Sequence, residues 1–84
     1  MKTISVENLP VRTIKQEIKS SLHKKINITE HNKQGKLIHE YHGTIDSAHD
    51  NIFLVKVEFK GYALNKSFTY VDFSIGELHY TILE

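Results

Sequence analysis

The sequence predicts a mainly β protein: an N-terminal α-helix followed by a five-stranded antiparallel small barrel of the SH3-like or Sm-like kind. Three observations predict it. One short segment spaces its apolar residues as a helix does, and nearly everything after residue 25 spaces them every second position. A glycine also interrupts one long strand, as a small sheet needs in order to curl. The 84 residues suffice for one domain with one core. Residues 1–9 read as an extension, Pro10 as its boundary, and 10–84 as a single helix-plus-barrel domain.

The elements follow in order. The extension is expected either to be mobile or to dock as a short strand through Ile4 and Val6. Thr13 and Gln16 have the spacing of a capping box, and Ile14, Ile18 and Leu22 then form a narrow apolar stripe. So short a helix does not persist alone in water and must pack on something. The pair Lys24 and Lys25 is expected at its C-terminal end, where the dipole favours cations. Residues 25–30 alternate through Ile26 and Ile28, and Asn32, Lys33, Gln34 and Gly35 have turn composition. Residues 36–46 form a long strand in which Gly43 predicts a bulge or bend. Residues 52–60 form the strongest strand, with Phe53, Val55, Val57 and Phe59 on one face. Residues 61–66 read as a loop, 67–70 as a short strand placing Phe68 and Tyr70 inward, and 71–76 as a turn of 3₁₀ helix. Leu78, Tyr80 and Ile82 alternate in the last strand.

Composition narrows the function. There is no cysteine, so disulfides and thiolate metal sites are ruled out, and a reducing, cytoplasmic setting is expected. No apolar run is long enough to span a bilayer or to serve as a secretory signal, so no membrane association is expected. Asp46, His49 and Asp50 lie close in sequence, but no cysteine nucleophile or Gly-rich phosphate loop accompanies them. The expectation is a non-enzyme without a cofactor. Six histidines raise a metal site as a minor reading, yet His39 and His42 are three apart on a strand and face opposite sides.

Two surfaces remain as candidates. Residues 1–45 carry a net +4 and residues 46–84 a net −3. Lys15, Lys19, Lys24, Lys25, Lys33 and Lys36 form a candidate patch for nucleic acid or an acidic partner. The plainer reading of these lysines is a solvated face. Tyr41, Phe53, Phe68 and Tyr80 fall on the apolar alternation, which leaves Tyr62 as the one aromatic free to stack. Ile38, Ile52, Leu54 and Leu83 fall on the side opposite the core face and form a candidate protein interface, with a weak homodimer as one outcome. Strand addition at an open edge is the expected mode.

Three stretches also carry a family likeness. They are Ile14-Lys15-Gln16-Glu17-Ile18-Lys19, then Gly43-Thr44-Ile45 with the run Ile52-Phe53-Leu54-Val55-Lys56-Val57-Glu58, and finally Ser67-Phe68-Thr69-Tyr70-Val71-Asp72 with Leu78-His79-Tyr80 shortly after. Together they resemble the Veg family of small proteins from Gram-positive bacteria, of which this would be a divergent member. The resemblance implies a non-enzymatic regulatory protein that stimulates biofilm formation through protein–protein contact, by antagonising a DNA-binding transcriptional repressor. It brings no catalytic or cofactor residues. The alternative is a small-barrel RNA- or DNA-binding protein that uses the basic helix.

Overall fold

The computed structural model describes the backbone of Ile4–Ser5 and residues 9–83. Pro10 opens the helix α1, Val11–Lys19. Its φ of −60° suits a helix start, and its carbonyl accepts the amides of Thr13 and Ile14 at 3.0 and 3.2 Å. This corrects the capping box: Thr13 already lies inside the first turn, and no side chain caps the helix. Ile14 and Ile18, one turn apart, are fully buried. The helix stops before Leu22, which is exposed, and His23 takes a positive φ of 69° in the turn that follows. Lys25 therefore belongs to a strand instead of the helix end. The His23 amide donates to the Ile45 carbonyl at 2.8 Å, and the Ile45 amide to the Lys24 carbonyl at 3.0 Å, so the turn is pinned to the sheet.

Five strands follow: β2 (Lys25–His31), β3 (Leu37–Ala48), β4 (Ile52–Phe59), β5 (Tyr62–Thr69) and β6 (Leu78–Leu83). With the two-residue β1 (Ile4–Ser5), they make one antiparallel sheet in the order β1-β6-β2-β3-β4-β5. Ile4 thus docks as expected, opposite Ile82, whereas Val6 lies outside the described residues. Between β2 and β3 the Asn32 side-chain oxygen accepts the amides of Gln34 and Lys36, both at 2.9 Å. Gly35, at φ 81°, completes that turn.

Gly43 acts differently from expectation. It sits on the core face between Ile26 and Val57, and a Cβ there would run into the Lys56 carbonyl and lie 2.8 Å from Val55 Cγ1. Its service is close approach of β3 to β4, and the register slips two residues later, between Ile45 and Ser47.

Two further corrections concern the C-terminal half. Residues 62–66 are strand and not loop, in unbroken register with β4 from Phe59 opposite Tyr62 to Ile52 opposite Thr69. None of them is buried, so no core-driven alternation marks the strand in the sequence. Phe59, expected inward, is exposed with them. The expected 3₁₀ turn is a one-and-a-half-turn helix, α2 (Tyr70–Ser74).

The barrel does not close. Among the described residues β5 pairs with β4 alone and β6 with β2 and β1, so the sheet keeps two edges. The reason is α2, which packs against both β5 and β6 and puts the buried Tyr70 and Phe73 in the interior between them. The sheet curls around a core in which the Phe53 ring lies 5.5–5.8 Å from the rings of Phe68, Tyr70 and Phe73. Two phenols anchor the helical end of this core. Tyr80 donates to Glu17 Oε2 of α1 at 2.8 Å, and Tyr70 to the His49 carbonyl at 2.9 Å.

Candidate interaction surface

The six candidate lysines do not meet. Lys15 reaches Asp50 at 3.4 Å, and Lys19 ends α1. Lys24 and Lys25 lead into β2, whereas Lys33 and Lys36 sit at the hairpin beyond its other end. A seven-residue strand separates those pairs, roughly 20 Å or more of extended chain. The lysines are thus spread over two ends of the molecule.

The apolar candidates divide too. Ile52 and Leu54 are neighbours on the outer face of β4, both half-buried, opposite Thr69 and Ser67. Ile38 lies exposed near the start of β3, next to the β2–β3 hairpin. Leu83 ends β6 beside Lys25, at the far end of β2 from that hairpin. Ile38 and Leu83 therefore share no surface with each other.

A different apolar group stands together. Phe59, Tyr62 and Leu64 are 42%, 59% and 53% exposed, and register puts all three on the inner face of the sheet. Leu64 lies opposite Val57, and Phe59 opposite Tyr62 with their rings stacked at 5.4 Å. The group continues the core face past the point where the core ends. Tyr62 carries a signal in the sequence, as the aromatic free to stack. Phe59 does not, because its alternation is indistinguishable from that of Val55 and Val57.

Along the same strand, the unclosed sheet leaves a cavity of about 240 Å³. Lys66, Ser67, Phe68 and Thr69 all line it, and four consecutive strand residues can do so only from the strand's edge. Tyr41 forms the floor with Phe68, rings 5.6 Å apart. The Lys66 ammonium lies 5.3 Å from the Tyr41 ring centre and 5.9 Å from that of Phe68. Glu30, Asp72 and Glu77 complete the walls.

Chemistry at the other polar clusters is limited. His49 Nε2 lies 3.0 Å from the Ser47 hydroxyl, and Asp50 is turned to Lys15. His42 bonds Asn27 at 2.7 Å on the outer face, whereas His39 stacks on Tyr41 on the inner one. Among the described residues, no three His, Asp or Glu side chains are grouped to hold a metal ion. None of the described helices is long and apolar enough to cross a membrane. Among the described residues, two groups have displaced acidities, and both are structural. Burial, then the bond to Glu17, pushes the Tyr80 phenol far above the usual tyrosine value, and burial raises that of Tyr70.

These features define a small helix-capped β domain that offers its surroundings an edge and an apolar patch. The chain belongs to the VEG family, described as biofilm formation stimulator VEG, whose family model matches residues 10–74, from the cap of α1 to the end of α2. This is not an enzyme family. No curated protein matches the chain closely enough to add to that assignment.

Proposed function

We propose that the chain stimulates biofilm formation by binding another protein, and that this protein is a DNA-binding repressor of matrix genes. The observation that carries the reading is the free edge of β5. Eight residues run without a bulge, a proline or, among the described residues, a second pairing partner, beside the exposed Phe59, Tyr62 and Leu64. Such an edge is a template for another strand, and exposed aromatics are the usual anchors of protein contacts. The dispersal of the lysines favours this over nucleic acid, which needs cations along one track.

The test is genetic and biochemical. Expressing the chain in a biofilm-forming Gram-positive host should raise biofilm mass and matrix transcripts, and should add nothing where the repressor is deleted. Leu64→Lys should abolish the effect while leaving the fold intact, because Leu64 is exposed. An equal rise without the repressor overturns the reading. Salt-sensitive retention on an oligonucleotide, weakened by replacing Lys19 and Lys24, would put nucleic-acid binding in its place.

A further inference from the structure

We infer that the β5 edge takes an extended segment of its partner that carries apolar residues and, next to them, an arginine or lysine. The inference rests on the protein-binding reading above and specifies the chemistry of the segment. A strand added beside β5 would present alternate side chains to the inner face of the sheet. Near the β4–β5 turn those side chains would meet Phe59, Tyr62 and Leu64, an apolar surface with no carboxylate of the β4–β5 hairpin on that face. Four residues further along, the same face opens into the cavity beside Lys66 and Phe68.

That cavity asks for a cation. At about 240 Å³ it falls below the roughly 300–1,000 Å³ of small-molecule sites, and it suits a side chain. Its aromatic floor already holds one ammonium, that of Lys66, which shows that the space accepts a cationic group over Tyr41 and Phe68. Its walls carry three carboxylates, Glu30, Asp72 and Glu77, against that single lysine. The walls have a net negative charge, and a guanidinium or ammonium entering from the edge would meet both the carboxylates and the ring faces. A second copy of the chain fits less well. In antiparallel β5–β5 pairing centred on Leu64, each Lys66 faces Tyr62 of the other copy and leaves the carboxylates unanswered.

The probe is a short synthetic peptide of alternating valine and threonine, with one arginine moved through the inward-facing positions. Its twins carry glutamate or norleucine there. Arginine at the cavity position should bind about tenfold more tightly than glutamate, because reversing one charge against a like-charged wall is penalised. The gap should shrink to a fewfold in Asp72→Asn/Glu77→Gln, whose side chains are half-buried and exposed. Amide exchange should slow along 62–67 on binding. Equal binding of the twins, or protection at β6 instead of β5, overturns the inference. So does sedimentation showing that a second copy occupies the edge. If the peptides fail while the chain still acts through the repressor, the inference falls and the proposed function stands. If the peptides bind as expected but the chain acts without the repressor, the edge chemistry stands and the proposed function falls.

Discussion

The β4–β5 hairpin has two ends that pair alike and live differently. From Ile52 to Phe59 every residue has its partner in β5, with no slip. At one end Phe53 is sealed under Tyr70 and Phe73, while at the other Phe59 and Tyr62 stack on each other in the open. Backbone pairing is therefore not what distinguishes core from surface here. Coverage is: α1 and α2 close one end of the curled sheet, and no described element covers the other. The same chemistry, an aromatic pair across two strands, stabilises the fold at one end and stands available at the other.

Phe53→Ala should produce the largest effect. It removes a ring that touches three others in a sealed core, at a cost of about 3–5 kcal/mol. A domain this small has on the order of 5–15 kcal/mol in total, so urea unfolding should shift to much lower denaturant or disappear. An unmoved midpoint would mean that the covered end is no more demanding than the open one.

Gly43→Ala comes next, at about 1–3 kcal/mol from forced separation of strands. Its added methyl has the Lys56 carbonyl in its way, a backbone atom that no side-chain rotation can clear. The position lies where covered and open halves join, on the row running from Ile26 through Val57 to Leu64. Loss of protection confined to the open half would show that the two ends unfold separately.

Much of this division is legible in the sequence, and the part that is not has a definite cause. Ile26, Ile28, Phe53, Val55, Leu78 and Tyr80 announce themselves because burial selects apolar residues at every second position. The residues from Tyr62 to Lys66 bury nothing, so the strand they form leaves no pattern, and the outer edge of the sheet reads as loop. Phe59 shows the opposite failure. Its spacing says core, and only the end of the helical cover makes it surface. Closure is equally illegible, since the obstacle is α2, whose five residues carry too little periodicity to reveal a helix. The lysine patch looks coherent along the chain only when charge is read alone, since the alternation of residues 25–30 already announces the extended strand that separates Lys25 from Lys33.

Tyr80→Phe probes the covered end through pH. Burial and the Glu17 bond raise the folded-state pKa of Tyr80 above its unfolded value near 10. The neutral phenol contributes fully below pH 10. Above it the unfolded chain ionises first, so stability is lost as pH rises. Tyr70, raised chiefly by burial, acts in the same direction. Wild-type melting temperature should fall steeply in the alkaline range. The variant should start lower, by about 1 kcal/mol of stability for the lost bond to the half-buried Glu17, and decline less steeply. Parallel alkaline slopes would assign the loss to other groups.

Tyr62→Ser should have the smallest effect on stability and the clearest effect on function. The ring is more than half exposed, and its contact with the Phe59 ring is itself in solvent. Exposed substitutions of this kind stay within about 0.5 kcal/mol. If coverage is what separates the two ends, the urea midpoint will hardly move while the rise in biofilm mass is lost. A fall comparable to that of Phe53→Ala would make the open end part of the core and remove the basis for reading it as a contact surface. An unchanged midpoint with unchanged biofilm stimulation would keep the comparison of the two ends but move the contact elsewhere. The outer face of β4, at Ile52 and Leu54, is the next apolar surface to test, and Leu54→Glu is its probe.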